Sequence, residues 1–276
     1  MPSTRMMSSK VPEVTVYFWI IKVLATTVGE TAADTLNADL DLGLTGTTVV
    51  MAVLLAGALY LQFRANRYVP WTYWLAVLLI SVVGTLITDN LVDNLGVPLE
   101  TTTAVFAIAL AVTFAAWYAS ERTLSIHTIV TARREAFYWS AILFTFALGT
   151  AAGDLVAEQL DVGYWKSTLV FGALIGAVAL ARYGFRLNAV LAFWIAYVLT
   201  RPLGASLADL LSQDRDEGGL GLGATGTTVL FLGVGLGLVA YLTVTNTDEL
   251  PPEQAGAAAG LGDGADRPVS ANDRLG

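Results

Sequence analysis

Apolar residues along this chain gather into eight long runs, at roughly residues 14–36, 46–64, 71–93, 99–120, 135–159, 165–186, 188–211 and 223–246. Each run is close to the ~20 helical residues that cross ~30 Å of hydrocarbon. Neither the strict alternation of a half-buried strand nor the narrow apolar stripe of a surface helix describes them. The pattern predicts an all-α polytopic membrane protein with eight transmembrane helices. The first run is too long for the core of a signal peptide and no small-residue cleavage site closes it, so it is read as the first span. Arg5, Lys10, Arg64, Arg67, Arg122, Arg133, Arg134, Arg182 and Arg186 fall on one side of this arrangement, and only Lys166 and Arg215 on the other. Basic residues collect on the cytoplasmic side, so both termini are expected in the cytoplasm.

The same chain repeats itself. Trp19, Trp74, Trp139 and Trp194 each open a segment in which Gly follows ten residues later (Gly29, Gly84, Gly149, Gly204) and Asp fifteen residues later (Asp34, Asp89, Asp154, Asp209). Thirteen residues beyond the first three aspartates come the hydroxyl pairs Thr47-Thr48, Thr102-Thr103 and Ser167-Thr168; the fourth pair, Thr227-Thr228, is displaced by five residues. The tryptophans are 55, 65 and 55 residues apart, as expected of a two-helix unit doubled and doubled again. Each unit holds two spans, so the four tandem repeats run parallel and imply a pseudo-symmetry axis along the membrane normal. The organisation read from this is a first half over 1–122, a basic cytoplasmic linker over 123–134, a second half over 135–246 and a disordered tail over 247–276 rich in Ala, Gly, Asp and Pro.

Three stretches, KVPEVTVYFWIIKVLATTVGETAADTLN, TLSIHTIVTARREAFYW and YVLTRPLGASLAD, resemble bacterial integral membrane proteins built from four two-helix repeats of unknown function, the uncharacterised membrane-anchored proteins. The resemblance covers roughly residues 10–246. It implies four tandem repeats of two helices with a recurrent tryptophan, and location in the bacterial plasma (inner) membrane. It implies no activity.

Composition narrows the chemistry. Residues are 55% hydrophobic and 14% charged, against ~25% charged in an average soluble domain. Without cysteine there is no disulfide, thiolate metal site or thiol nucleophile. A net charge of −8 opposes nucleic-acid binding. The single histidine, His127, cannot form a metal-hydrolase pair, and neither a G-x-S-x-G elbow nor a glycine-rich phosphate loop is present. No enzyme and no cofactor are expected; the lipid bilayer is the one partner the composition requires, and a homo-oligomer is compatible with it.

Ionisable groups within spans are costly and tend to face a protein interior or a wet cavity. Lys22, Thr26, Glu30 and Asp34 recur every four residues and so share one helix face. The residue after the repeat glycine is Glu30, Thr85, Thr150 or Ala205, and seven residues after the tryptophan stand Thr26, Ser81, Phe146 and Arg201. Lys22, Glu30 and Arg201 are thus charges unique to their repeats. Two readings stay open for Asp34, Asp89, Asp154 and Asp209. With Thr47, Thr102, Ser167 and Thr227 they could line an ion pathway, since carboxylate and hydroxyl oxygens suit a hard cation or protons. Alternatively each aspartate caps the helix that follows and staples its hairpin. The corresponding function classes are a transporter or channel for a hard cation or a proton-coupled substrate, a carrier of an anionic or zwitterionic solute drawn by Lys22 and Arg201, and a non-transporting scaffold or regulator. Pro202 is expected to kink or break its helix. The pairs Gly149/Gly153, Gly172/Gly176 and Gly233/Gly237 are expected at close helix contacts, and the four tryptophans at an interfacial aromatic belt.

Overall fold

A computed structural model describes residues 9–39, 42–160 and 162–248. Arg5, Asp41, Asp161 and tail residues 249–276 lie outside the described residues. Eight long helices make up the described chain: α1 (Val16–Asp39), α2 (Gly43–Arg64), α3 (Pro70–Asp89), α4 (Leu99–Glu121), α5 (Ala132–Asp154), α6 (Tyr164–Gly184), α7 (Ala189–Ser212) and α8 (Ala224–Thr245). Local chemistry sets several of their ends. Pro70 begins α3, where its missing N–H costs nothing. Thr131 caps α5, and Asn188 caps α7 by accepting from the amides of Val190 and Leu191. Gly163 and Gly223, at φ of 80° and 73°, turn the chain into α6 and α8 in a conformation that other residues rarely adopt.

The odd-numbered helices form an inner ring, α1 against α3, α3 against α5, α5 against α7 and α7 back against α1. Each even-numbered helix packs chiefly on the odd helix that follows it: α2 on α3, α4 on α5, α6 on α7, and α8 closes the circle on α1. Burial divides the same way, with 56% of the apolar window buried in each of α3, α5 and α7 but 22, 17, 11 and 17% in α2, α4, α6 and α8. Seven helices are long and apolar enough to cross a membrane. The remaining one, α1, carries Lys22, Glu30 and Asp34 within its length.

Two interdigitations repeat around the ring and relate the repeats about a common axis. The aromatic residue before each tryptophan meets the tryptophan of the next repeat: Phe18 with Trp74 at 5.6 Å between centroids, Tyr73 with Trp139 at 5.5 Å, Tyr138 with Trp194 at 6.2 Å, and Phe193 with Trp19 at 5.7 Å. Trp74, Trp139 and Trp194 are accordingly buried in the bundle rather than spread in an interfacial belt. The second set uses the repeat glycines. A Cβ added to Gly29, Gly84, Gly149 or Gly204 would run into Ser81, Phe146, Arg201 or Thr26, again the next repeat in each case. At Gly204 it would stand 2.0 Å from Thr26 Oγ1.

Three local expectations need correction. Helix α7 is not broken at Pro202 and runs from Ala189 to Ser212, with Gly149 and Gly153 of α5 packed against the proline. Gly176, Gly233 and Gly237 face open space on the outer helices, so they mark no close contact within the chain; Gly149 and Gly153 do. The chain stays packed to the start of the tail: Asp248 is buried, its carbonyl accepts from the Glu13 amide at 2.9 Å, and Tyr68 donates to its carboxylate at 2.5 Å.

This last contact belongs to a clasp across the basic end of the bundle. Lys10 Nζ donates to Glu135 at 2.8 Å and to the Phe63 carbonyl at 3.1 Å, and Gln62 donates to the other oxygen of Glu135 at 3.2 Å. Lys10 and Glu135 are both buried. Burial and the Asp248 carboxylate together hold the Tyr68 phenol well above its usual range. Arg134 of the linker also turns inward, donating to Glu121 at 2.7 Å and to the Thr128 carbonyl at 3.0 Å.

Candidate functional site

In the inner ring the residues at four-residue intervals from the position before each tryptophan form successive layers. The first is Phe18, Tyr73, Tyr138 and Phe193; the next is Lys22, Val77, Ile142 and Tyr197; then Thr26, Ser81, Phe146 and Arg201; then Glu30, Thr85, Thr150 and Ala205; and last Asp34, Asp89, Asp154 and Asp209. All but Phe193 and the first three aspartates are buried. A helix advances 3.6 residues per turn, so a four-residue step keeps each row near one face and lets four rows meet along the axis.

The centre is sealed. Arg201, entirely buried, extends from α7 to bond Glu30 of α1 at 2.5 Å and Thr150 of α5 at 2.6 Å, with Thr85 of α3 as a third partner. Thr85 also donates to Glu30 at 3.0 Å. One guanidinium therefore joins all four inner helices. Its Nε and Nη1 are buried with no hydrogen-bond partner in this structure. One layer toward the basic end, Lys22 Nζ donates to Thr200 at 2.5 Å and lies 4.0 Å from the centroid of the Tyr197 ring. The Phe146 ring is near both cations, 5.2 Å from Lys22 and 5.6 Å from Arg201. Lys22 makes no salt bridge among the described residues; its amino group is met by a hydroxyl and aromatic faces. Further toward the basic end, Tyr73 and Tyr138 share a hydrogen bond of 2.5 Å across the ring.

Beyond Arg201 the ring opens. Asp34, Asp89, Asp154 and Asp209 line one cavity of about 200 Å³ with Glu30, Asp93, Asn37 and Gln213. Asp89 and Asp154 each end their α-helix and lead into a π-helical turn, 90–94 and 155–159, a wide-turn irregularity frequent at functional sites. Among the described residues no three acidic or histidine side chains stand close enough to hold a metal ion together. The vestibule has an acidic lining whose groups are spread around it rather than gathered at metal-binding distance.

The repeat aspartates, Glu30, Lys22, Thr26 and Arg201 thus share one axial system. The hydroxyls expected beside the aspartates do not join it. Thr47 and Thr102 are buried and donate to carbonyls of their own helices, those of Gly43 and Pro98. Ser167 and Thr227 are fully buried without a hydrogen-bond partner. All four sit on outer helices that pack on the flanks of inner ones, away from the axis. The polar fastener that does join α2 to α3 is Asn90, donating to Thr48 at 2.7 Å and accepting from Thr45 at 2.8 Å. Thr85, Thr150, Tyr197, Thr200 and Asp93 are not among the site residues read from the sequence; extending the four-residue register from the residue before each tryptophan reaches the first three.

Four parallel two-helix repeats closed into an all-helical double ring define the class of protein. The family model described as "Repeat of Unknown Function (DUF347)" matches residues 17–68, 72–123, 137–187 and 192–248, and the chain belongs to that family. No curated protein and no solved structure matches the chain.

Proposed function

We propose that the protein is an integral membrane transporter that collects a hard cation or protons in the acidic vestibule, with the Glu30–Arg201 pair as the closed gate beneath it. The membrane reading is supported by seven sufficiently apolar helices and by an outer ring that exposes large apolar residues such as Val53, Ile108, Leu180, Val229 and Val244. Contiguous apolar surface on that scale suits lipid rather than water. The helix ends set Arg64, Arg122, Arg182 and Arg186 on the side taken as cytoplasmic, with the vestibule opposite, in the bacterial plasma membrane. α1 spans as well; its charges turn to the axis, not to lipid.

One observation carries the transport reading: the aspartate of every repeat lines a single cavity whose floor is a buried charge pair unique to two of the repeats. A staple role alone would not gather four carboxylates in one basin. Proteoliposome uptake of Mn²⁺, Mg²⁺, Ca²⁺ and H⁺ by wild type, Asp89→Asn and Asp154→Asn tests it. Uptake of one cation, cut about tenfold or more by a carboxamide, is the expected result, since each lost carboxylate weakens the field that concentrates it. Undiminished flux in both variants removes the aspartates from the path.

A second reading rests on the unpartnered Nε and Nη1 of Arg201 together with Lys22. Two buried basic side chains beside one carboxylate suit an anionic or zwitterionic solute. Silence toward every cation with uptake of such a solute supports this reading over the first.

A further inference from the structure

A groove that the axial site does not use runs along the outside of the inner ring between α1, α6 and α7. Its volume is about 580 Å³, and its walls include Trp19 and Val23 of α1, Ala179 of α6, and Phe193 and Ala196 of α7. Along α7 it extends from Ala189 to Leu203, about 20 Å at 1.5 Å per residue. That is somewhat more than half of a ~30 Å hydrocarbon core, the depth of one leaflet. The turn Ile126–Thr128 of the linker roofs its basic end.

Two polar groups wait at that roofed end. Arg182 is exposed, and the bond it makes there is from Nη1 to the Leu187 carbonyl at 3.3 Å. His127 has its Nδ1 buried with no hydrogen-bond partner. Burial holds this imidazole below its ordinary protonation range, with Glu13 opposing the effect, so at neutral pH the ring is uncharged and has one nitrogen able to donate. An imidazole with an unpartnered ring nitrogen and a guanidinium over an apolar trough one leaflet deep match a phosphate ester carrying an acyl chain. Arg182 and the nearby Arg186 would repel the ammonium of a zwitterionic head group and not the phosphate of an anionic one.

We propose that this groove holds an anionic phospholipid of the cytoplasmic leaflet, with its acyl chain along α7 and its phosphate against Arg182 and His127. The groove reaches Thr200, whose hydroxyl accepts from Lys22, so the occupying chain touches the wall behind the axial cation. The inference rests on the membrane-spanning part of the proposed function and is independent of what is transported.

Trp19 lines the groove and supplies the readout. The full chain is reconstituted in phosphatidylcholine vesicles doped, at equal mole fraction, with brominated phosphatidylglycerol or brominated phosphatidylcholine. Bromine quenches indole fluorescence at contact, and the Trp19 component is the difference between wild type and Trp19→Phe. The expected result is quenching of that component about fivefold more effective with the anionic lipid, levelled by Arg182→Gln combined with His127→Ala. Equal quenching by the two lipids in wild type, or a preference that survives in the double variant, overturns the proposal. Trp71 and Trp165, both exposed on the bundle, report insertion itself: loss of all quenching by either lipid would reject the membrane reading, whereas unselective quenching rejects the lipid site alone.

Discussion

At the scale of single residues, Arg201 is the side chain on which most depends, because Glu30, Thr85 and Thr150 all converge on it. Removing one member of a buried ion pair leaves the other charge uncompensated and costs about 3–5 kcal/mol. Glu30→Gln and Arg201→Met are each expected to lose that much stability. The double variant should lose clearly less than the sum, since a neutral pair of similar size leaves no orphaned charge. Unfolding in mild detergent across this double-mutant cycle reads the coupling, and simple additivity would mean that the pair does not hold the axis. The Tyr68–Asp248 contact has a pH signature. The phenol is held protonated in the folded protein and titrates near 10 when unfolded. Its contribution is therefore complete below about pH 10 and shrinks as pH rises above it. Tyr68→Phe should flatten the alkaline limb of a stability–pH profile and leave the neutral region's slope unchanged.

At the scale of elements, the inner helices pass one another at the repeat glycines, and only some glycines carry that duty. Gly204→Ala forces a methyl into Thr26 and the Thr27 amide, and overpacking of this kind costs about 1–3 kcal/mol. Gly233→Ala, with nothing within 4 Å of the added carbon, is expected to be neutral or to stabilise α8 by about 0.5–1 kcal/mol through helix propensity. Thermal denaturation of the two variants separates them; equal losses would mean that α8 faces a partner the isolated chain does not include. The repeats themselves were legible from the recurrence of Trp, Gly and Asp at constant spacing. That the hydroxyl pairs stand apart from the aspartates was not, because spacing along the chain does not say on which flank an outer helix lands.

At the scale of the whole molecule, closure of the ring makes repeats 1 and 4 neighbours. The contacts of α8 with α1 and of Gly204 with Thr26 join residues 178 or more positions apart. The clasp of Lys10, Glu135, Gln62 and Asp248 lies at the opposite end from the vestibule. If both termini are cytoplasmic, reporter fusions at positions 68 and 163 will lie on opposite sides of the membrane. The same side for both would overturn that topology and, with it, the orientation of the vestibule.

Helix number, repeat register and the charge asymmetry of the two ends could be read from the chain because each is a local property, a run length, a spacing or a count. The inward face could be read only for α1, from the row Lys22, Thr26, Glu30 and Asp34. The other helices are apolar on nearly every side, so no stripe distinguishes their face toward the axis from their outer face. It is the packing of each repeat's glycine and aromatic residue into the next repeat that selects the face. That selection brings Glu30, Thr85, Thr150 and Arg201, scattered over 172 positions, counting both ends, from residue 30 to residue 201, into one hydrogen-bonded cluster beneath four aspartates.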